Sequence, residues 1–595
     1  MSLQFITGNS GNGKTKYLFN RIVKEAKANP RDNYLVIVPE QFTMQTQRQL
    51  VDLSENKAIM NIDVLSFKRL AYRVFDELGI TNLTVLEETG KNLVLRKLAA
   101  HEADKLGVIG RNLNRIGYIS EVKSLLSELV QYNISPEELG RYIASGRLSD
   151  TLSDKLKDVL VLYEAFEKFM QDKYITAEEI LNVLSNVAEE SAILRNSVIA
   201  FDEFTGFTPI QNQLIKKLFV ISKKIYVTLT IDCREDIFKS RGMQELFDMP
   251  KRTVKSLTEM AAFYGIEVEE PIILDKNYRL AENEELSFME QQLFRKRRCS
   301  FKKVPKHIHI DCLRDPKQEL TKIARRINEL VRNENLRYRD IAIVTGDVNI
   351  YAGYVREIFD KYNIPYFIDA TQEILFHPFI EFIRSIPDIA AQNFSADAVF
   401  RFLRCGFSEL LDSEIDVLEN YVLACGVRGK SAWDKKWVRL PKHKAGYDIE
   451  LLNQSREYIM ELLKPVYQVF SDKKSTVKDY VLAIYKLIVL LDIPDKLAKK
   501  EQALLDAGDQ TASKEYGQIY KIVMQLFEKY VAVLGDECMD AEEFTQILDA
   551  GLDAADVAVI PPGYDTVTIG DIERTRLTNI KVMFFAGVND GIVPK

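Results

Sequence analysis

The sequence predicts an α/β protein built from two parallel-sheet domains, each interrupted by a large helical insertion. Short apolar segments that indicate buried strands alternate with amphipathic helices at the start of the chain. The alternation then changes to helical spacing of three and four, returns, and is repeated in the same order in the second half. The chain has 595 residues, 46% of them hydrophobic, which is enough for several separate cores.

The first α/β core is predicted at residues 1–83 and 195–280, with residues 84–194 as its helical insertion. Its strands are expected where short apolar runs end at turn residues or polar residues. These runs lie at residues 3–7, 35–39, 63–67, 197–201 and 225–229. Because helices separate successive runs, the strands are expected to form a parallel sheet.

The second α/β core is predicted at residues 281–377 and 552–595, around a helical insertion at 378–551. Its strands are expected at residues 307–312, 341–344, 364–368, 557–560, 566–569 and 581–585. The last of these runs straight into the end of the sequence, which predicts that the chain is a piece of a longer protein.

Composition excludes several classes of protein. The net charge of −7 provides no global basic field for nucleic acid, although a large enzyme can confine positive charge to one channel. The six cysteines form no C-x-x-C pair, which argues against a zinc site or a disulfide framework. No signal peptide and no membrane-spanning apolar run is recognisable. A soluble protein of the cytoplasm is therefore expected.

The most specific motif, GNSGNGKT, follows the first predicted strand and opens a predicted helix. It fits the phosphate-binding pattern G-x-x-x-x-G-K-[ST], in which glycines let backbone N–H groups face a phosphate. The lysine is expected on the terminal phosphates and the threonine hydroxyl on Mg²⁺. The predicted nucleotide-binding residues are Gly8, Asn9, Ser10, Gly11, Asn12, Gly13, Lys14 and Thr15.

Two acids complete the predicted nucleotide site. Asp202 and Glu203 end the apolar strand at 197–201, where a parallel sheet places catalytic side chains near the phosphate loop. Asp202 is expected to hold Mg²⁺ through water, and Glu203 to polarise the attacking water. The alternative interpretation is an ordinary strand that ends in two surface acids.

Several segments together resemble a known family. The order of GNSGNGKT, VPEQFTMQ, VLSFKRLAYRV, VIAFDEFTGFTPIQ, LDKNYRL and RYRDIAIVTGDVNIYAGYVREIFDKYNIPYF is similar to that of superfamily-1 helicases of the UvrD type. The closing stretch TVTIGDIERTRLTNIKVMFFAGVNDGIVP resembles the AddB (RexB) family, the B subunits of AddAB (RexAB) helicase–nucleases. The resemblance covers essentially all of the chain. It implies that the two cores are RecA-like domains 1A and 2A with insertions 1B and 2B, and that a C-terminal nuclease domain is missing.

The resemblance implies a function as well. It implies ATP and Mg²⁺ as cofactors, a heterodimer with an AddA-type subunit, and action on single-stranded DNA and duplex ends during recombinational repair of double-strand breaks. An iron–sulfur cluster is expected only with the missing domain. In the family, an arginine reaches the γ-phosphate and the tyrosine before it can stack near the base. The matching residues here are Arg279 and Tyr278. A surface arginine that caps a helix is the alternative interpretation of Arg279.

Candidate DNA contacts come from two sources. The family places single-strand contacts in the segments that contain Gln41, Thr43, Ser66 and Phe67, with Phe67 as a possible platform for a base. An aromatic residue after a strand is more often part of the core, which is the alternative interpretation. Both tryptophans of the chain, Trp433 and Trp437, share one face of a predicted helix flanked by lysines. Aromatic rings flanked by positive charges could stack on unpaired bases of single-stranded DNA. A pair packed inside the helical insertion is the other interpretation, and the sequence leaves both open.

The chain departs from the helicase pattern in three places. No upstream glutamine segment for adenine precedes the first strand, TIDCRED replaces G-D-x-x-Q, and GDIERTRL replaces T-x-H-x-x-K-G-L-E-F. Asp232 could partly substitute for the γ-phosphate-sensing glutamine. These departures support a second hypothesis, a weakly catalytic helicase fold that recognises a recombination hotspot in single-stranded DNA. A small-molecule kinase is a third, but such kinases are much shorter.

Overall fold

The computed structural model describes residues 1–55, 57–80, 85–86, 88–108, 118–145, 148–170, 174–295, 299–369, 372–373, 376–440, 447–507, 509–553, 556–557, 565–573, 575, 577 and 580–593. The chain divides into two compact units. Unit 1 comprises residues 1–86, 124–149 and 167–312, and unit 2 comprises residues 87–123, 150–166 and 313–595.

The strands, numbered in chain order, are β1 (Ser2–Gly8), β2 (Tyr34–Ile37), β3 (Ile62–Leu65), β4 (Val85–Leu86), β5 (Ile175–Thr176), β6 (Val198–Phe201), β7 (Lys224–Thr230), β8 (Glu267–Val268), β9 (Ile272–Leu274), β10 (Ile341–Thr345), β11 (Tyr366–Ile368), β12 (Gln372–Glu373), β13 (Asp556–Val557), β14 (Val567–Asp571) and β15 (Val582–Ala586).

The α-helices are α1 (Lys14–Ala28), α2 (Thr43–Leu53), α3 (Phe67–Leu78), α4 (Glu88–His101), α5 (Tyr118–Gln131), α6 (Pro136–Ala144), α7 (Asp150–Met170), α8 (Ile180–Val187), α9 (Pro209–Ile221), α10 (Asp248–Phe263), α11 (Glu284–Gln292), α12 (Pro316–Asn333), α13 (Val348–Lys361), α14 (Pro378–Ala391), α15 (Ala396–Leu403), α16 (Asp412–Cys425), α17 (Lys430–Asp434), α18 (Ile449–Ser471), α19 (Val477–Leu490), α20 (Ile493–Asp506), α21 (Gln510–Leu534) and α22 (Ala541–Asp553).

Unit 1 is built on a parallel sheet with strand order β3-β2-β6-β7-β1-β8, in which β9 also pairs with β1. Successive residues of each strand point to opposite faces, and both faces are buried. Phe5, Ile199 and Val227 contribute to the core on one face, whereas Ile6 and Tyr226 contribute to the core on the other. The sheet is therefore covered on both sides, and its strands read as continuous apolar runs.

Unit 2 contains a smaller parallel sheet, in the order β11-β14-β10-β15. Helices α12 and α13 pack against each other, and their apolar residues join the core of this sheet. The helices from α14 to α22 form a larger core of their own, in which α14 packs against α15, α18 and α22. The predicted alternation of parallel sheet and helical segment is confirmed in both halves of the chain.

Helix α4 belongs to unit 2, although residues 84–194 were predicted as an insertion of the first core. It packs against α21 and α22, and Lys97 forms an ion pair of 2.6 Å with Glu537. The domain boundaries expected from the sequence therefore stay a prediction.

The predicted strand at 307–312 was wrong, because this segment has no regular secondary structure. The Glu285 carboxylate accepts hydrogen bonds of 2.8 Å from the backbone N–H groups of Lys306 and His307, so a side chain takes the place of a neighbouring strand. The part of the prediction at 558–560 lies outside the described residues. Among the helices that the structure describes, none is long and apolar enough to cross a membrane.

Candidate nucleotide-binding site

The glycine-rich loop joins the end of β1 to the start of α1, as the motif predicts. Gly11 and Gly13 have left-handed backbones, with φ of 87° and 76°, which side chains disfavour. Gly13 is the N-cap residue of α1 and has no side chain that could cap the helix. The first N–H groups of α1 are therefore left for an anion, which the partial positive charge of a helix N-terminus attracts.

A second segment, residues 274–279, lies directly against this loop. Strand β9 pairs with β1 up to Gly8 and Leu274, and a Cβ atom on Gly8 would lie 2.5 Å from the Leu274 carbonyl oxygen. A Cβ atom on Gly11 would lie 2.8 Å from Asn277 Oδ1 and 2.9 Å from Arg279 Cβ. The glycines thus serve close backbone approach as well as the turn.

Lys14 is half-buried, and its Nζ donates hydrogen bonds of 3.1 Å and 3.0 Å to the carbonyl oxygens of Gly8 and Asn9. Burial lowers the pKa of Lys14, and the nearby carboxylates of Glu203 and Asp202 oppose that shift. The ammonium therefore lies inside the loop with two acids close to it, which is the position expected for a residue that binds terminal phosphates.

Asp202 and Glu203 come directly after β6, and both face Thr15 at the start of α1. The Thr15 hydroxyl lies 3.3 Å from an oxygen of each carboxylate. Asp202 is 1% exposed, and the Thr228 hydroxyl on β7, the strand between β6 and β1, donates to it at 2.5 Å. Glu203 is exposed and has a left-handed backbone, with φ of 66°. A strained residue of this kind is frequent at functional sites.

Tyr278 and Arg279 lie against the glycine-rich loop. Their backbone N–H groups donate to the Gly11 carbonyl oxygen at 3.0 Å and 3.3 Å. Tyr278 is 65% exposed, with Lys276 Nζ 5.1 Å from the centroid of its ring. The Arg279 guanidinium is exposed and adds to the positive charge around Lys14. Within the described residues, it makes no hydrogen bond or ion pair.

Asparagines that the motif does not specify brace the loop, a role that the sequence alone did not indicate. Asn12 Nδ2 donates to the Leu274 carbonyl oxygen at 2.6 Å, and Asn277 Nδ2 to that of Ser10 at 3.1 Å. Asn9 bonds Glu290 on α11 at 2.8 Å. In the sequence, three asparagines near a glycine loop indicate this role only weakly. Their hydrogen-bond partners depend on how β9 pairs with β1.

Asp232, the candidate substitute for a phosphate-sensing glutamine, is engaged elsewhere. Its buried carboxylate forms ion pairs with Arg234 at 2.6 Å and with Arg295 at 2.9 Å. Burial alone would raise the pKa of Asp232, but hydrogen bonds and charge from these arginines lower it to about 2. A carboxylate held by two guanidinium groups is not free to sense a phosphate.

The four candidate DNA contacts of unit 1 occupy different environments. Gln41 is exposed in a short 3₁₀ turn. The buried hydroxyls of Thr43 and Ser66 donate to Glu40, at 3.0 Å to its carbonyl oxygen and 2.8 Å to its carboxylate. Phe67 is buried against Phe201, Phe204 and Phe207, with ring centroids 5.6–6.3 Å away. A buried ring has no free face for a base, so the expectation of Phe67 as a platform is corrected to a core residue.

Trp433 and Trp437 lie in the helical core of unit 2, 0% and 6% exposed. Their rings contact each other, with centroids 5.2 Å apart, and the Trp437 indole N–H donates to the Ala432 carbonyl oxygen at 3.0 Å. The expectation of a stacking surface for DNA is corrected here too. Of the two interpretations that the sequence left open, the structure favours packing.

A metal ion would find few protein ligands at the loop. Among the described residues, no group of three or more His, Cys, Asp and Glu side chains is arranged to hold one. One carboxylate oxygen of Asp202 and one of Glu203 nevertheless lie 3.3 Å from the Thr15 hydroxyl, so three oxygens converge there. Mg²⁺ commonly binds through one or two such ligands, with water and substrate phosphates completing the octahedron. The residues therefore fit a Mg²⁺ that arrives with a nucleotide.

Comparison with known proteins finds similarity to one family. Residues 5–290 match the family model described as ADDB, N-terminal. Relatives named as the B subunit of an ATP-dependent helicase/deoxyribonuclease match the whole chain in Lachnoclostridium phytofermentans (40% identity), Caldanaerobacter subterraneus subsp. tengcongensis (33%) and Clostridium acetobutylicum (32%). The matches cover 100% of this chain and 52% of each relative. The chain thus spans about half the length of these curated relatives.

The fold and the site define an α/β protein with a glycine-rich loop at the carboxyl edge of a parallel sheet. Within that class, the chain is similar over its whole length to the B subunits of ATP-dependent helicase/deoxyribonucleases, and its residues 5–290 match the family model of the AddB N-terminal part. The expectation drawn from the sequence motifs is confirmed at the level of the family.

Proposed function

We propose that this chain is the helicase-like, ATP- and DNA-binding part of the B subunit of a heterodimeric helicase–exonuclease that processes DNA double-strand breaks for recombinational repair. The names of the relatives support an enzyme subunit that depends on ATP. We infer further that the two sheets are the cores of RecA-like domains, and that the partner is an AddA-type subunit.

The convergence of side chains around the loop carries this proposal. The N-terminus of α1, Lys14 and Thr15 come together with Asp202 and Glu203, so two separate stretches of sequence converge here. Lys14 would bind the terminal phosphates of ATP, Thr15 and Asp202 would hold Mg²⁺, and Glu203 would orient the attacking water. The Arg279 guanidinium would stabilise charge on the γ-phosphate. Mg²⁺, when bound, neutralises charge on the phosphates.

A second function is favoured by one observation. Arg234 and Arg295 hold Asp232, the acid that the sequence offered as a phosphate sensor after β7. A site that binds ATP without a sensor at this strand suits a scaffold that recognises a hotspot sequence in single-stranded DNA, with little turnover of its own. In that case nucleotide occupancy matters and hydrolysis does not.

One experiment tests both functions on the complete B subunit purified with its partner. Lys14→Ala is compared with Lys16→Ala, an exposed lysine two residues further along α1. The difference between wild type and Lys14→Ala defines the binding and hydrolysis that belong to this site. Removing a charge-assisted contact to phosphate is expected to weaken the binding of an ATP analogue at this site by at least about tenfold, whereas Lys16→Ala leaves it unchanged.

The outcomes are distinct. Lys14-dependent hydrolysis that single-stranded DNA stimulates supports the motor. Lys14-dependent binding without hydrolysis supports the scaffold. Binding that is equal in wild type and Lys14→Ala contradicts both functions, because each requires a nucleotide in this loop.

A further inference from the structure

The phosphate loop is held from one side by the segment that carries Arg279. Four hydrogen bonds join them: Asn12 Nδ2 to the Leu274 carbonyl oxygen, Asn277 Nδ2 to that of Ser10, and the backbone N–H groups of Tyr278 and Arg279 to that of Gly11. The distances run from 2.6 to 3.3 Å. The loop and the arginine therefore form one connected structure within unit 1.

Asn277 has a special place in this connection, because both ends of its amide are used. Its Nδ2 donates to the Ser10 carbonyl oxygen at 3.1 Å, and its Oδ1 accepts from the backbone N–H of Leu280 at 3.0 Å. One bond fixes the middle of the loop, and the other closes the turn that contains Tyr278 and Arg279. A single side chain thus ties the arginine turn to the phosphate loop.

The arginine itself has little else to hold it. Its guanidinium is exposed and makes no ion pair or hydrogen bond within the part of the chain that the structure describes, whereas its backbone is anchored at Gly11. The direction of a long, flexible side chain then depends on how well its backbone is fixed. The glycine at position 11 allows this close approach, since a Cβ atom there would lie 2.8 Å from Asn277 Oδ1.

We propose that Asn277 is a positioning residue that fixes Arg279 over the phosphate loop, so that this site discriminates a nucleoside triphosphate from a diphosphate. The inference rests on the proposed function. The proposed role of Asn277 requires no contact with phosphate, because Asn277 acts through Arg279. The discrimination arises because only a triphosphate extends a γ-phosphate to the guanidinium, while Lys14 and the amides of α1 bind what the two nucleotides share.

The test is a double-mutant cycle on the complete B subunit with its partner. Displacement of a fluorescent ATP analogue gives the dissociation constants of ATPγS and ADP with Mg²⁺, and only the component that Lys14→Ala abolishes is used. Arg279→Ala is expected to reduce the preference for ATPγS over ADP by about tenfold, the effect of one lost charge-assisted contact. Asn277→Ala is expected to reduce it by about fivefold. The double variant is expected to equal Arg279→Ala alone.

Two further variants separate positioning from general damage. Asn283→Ala removes the same amide six positions later, where it caps α11 through the N–H groups of Glu285 and Leu286, and it is expected to keep the wild-type preference. Asn277→Ser keeps an acceptor for the turn but does not reach the Ser10 carbonyl oxygen. It is expected to lose part of the preference while ADP affinity stays unchanged.

The outcomes distinguish this inference from the proposed function. If no binding depends on Lys14, the proposed function fails. If Lys14-dependent binding is present but Asn277→Ala keeps the wild-type preference, or adds its effect fully to that of Arg279→Ala, the positioning role is overturned. If Asn277→Ala also loses ADP affinity, the serine variant decides: an unchanged preference there overturns the inference, and a reduced one supports it.

Discussion

The two sheets contain the same local unit, a central strand followed by a turn and a helix, and they treat the N-terminus of that helix in opposite ways. In unit 1, β1 leads through the glycine loop to α1, whose N-cap Gly13 provides no side-chain cap. In unit 2, β10 leads through Gly346 to α13, whose N-cap Asp347 accepts a hydrogen bond of 3.0 Å from the N–H of Asn349. One helix is open to an anion, and the other is already capped by a carboxylate of the protein.

The turns differ in the same way. A Cβ atom on Gly346 would lie 2.9 Å from Val593 Cγ2 and 3.1 Å from Ile592 Cγ2, so apolar side chains of unit 2 cover that turn. In unit 1, the segment that covers the glycine loop brings Asn277 and Arg279 instead. We therefore expect a strand–turn–helix unit to bind phosphate only where the side-chain cap is missing and where the covering segment is polar.

The first prediction transfers the cap from α13 to α1. In Gly13→Asp, a carboxylate is expected to occupy the first N–H groups of α1, because aspartate tolerates the left-handed backbone better than most residues. A negative charge about 4 Å from the phosphates costs about 4 kcal/mol at the dielectric of a protein surface, which is about a thousandfold in affinity. Titration with a fluorescent ATP analogue measures this.

Gly13→Asn is the matched control for this change. Asparagine has the same shape, also accepts the left-handed backbone and also caps, but it carries no charge. It is expected to weaken binding much less than aspartate. Equal losses in the two variants would show that filling the cap position, rather than its charge, excludes the nucleotide, and unchanged binding in Gly13→Asp would remove α1 from the site.

The second prediction concerns a cap that titrates. His377 is the N-cap of α14, and its Nδ1 accepts a hydrogen bond of 3.1 Å from the N–H of Phe379. The ring is buried, with its centroid 4.4 Å from that of Tyr516, and burial lowers the pKa of His377 from 6.5 to about 4. The folded protein therefore holds a neutral histidine that the unfolded chain protonates below pH 6.5.

The sign follows from the protons bound. Between pH 6.5 and about 4 the unfolded state binds more protons at His377 than the folded state does. The free energy of unfolding is therefore not reduced by His377 above pH 6.5, and it falls as the pH drops below that value. The loss amounts to at most about 3 kcal/mol. Both tryptophans lie in the core of unit 2, so urea unfolding followed by tryptophan fluorescence reports this unit. His377→Asn keeps a side-chain cap that does not titrate, so it is expected to flatten the pH dependence of stability. If the pH dependence of this variant were as steep as that of the wild type, other groups would be responsible for it.

Much of this could be read from the sequence. The apolar runs of the two sheets are buried on both faces, so they stand out as continuous stretches, and the strands at 3–7, 225–229 and 341–344 were placed within a residue or two. The loop motif was equally clear, because few sequences other than a phosphate loop require glycines and a lysine at these spacings. The meeting of Thr15 with Asp202 and Glu203 followed from placing both segments at one edge of a parallel sheet.

What the sequence did not reveal depends on tertiary partners. The run at 307–312 alternates like a strand, yet the Glu285 carboxylate accepts hydrogen bonds from the N–H of its first residue, His307, and from that of the preceding Lys306. For Phe67, the sequence left a base platform and a core position open, and three other phenylalanines pack around its ring. Asn277 resembles any turn asparagine until β9 is paired with β1. In each case the long-range contacts, rather than the local sequence pattern, determine the structure and the environment of the residue.

The last prediction removes the cap that closes α13. Asp347→Ala is expected to destabilise unit 2 by about 1 kcal/mol, because the N–H of Asn349 loses its acceptor, and Asp347→Ser is expected to restore most of it. Urea unfolding followed by tryptophan fluorescence measures both. Nucleotide affinity should be unchanged in either variant, since Ile592 and Val593 still cover the turn at Gly346. If Asp347→Ala instead gained a second, Lys14-independent site for ATP, the missing cap alone would suffice to make a phosphate site, and the polar covering segment of unit 1 would lose its part in the comparison.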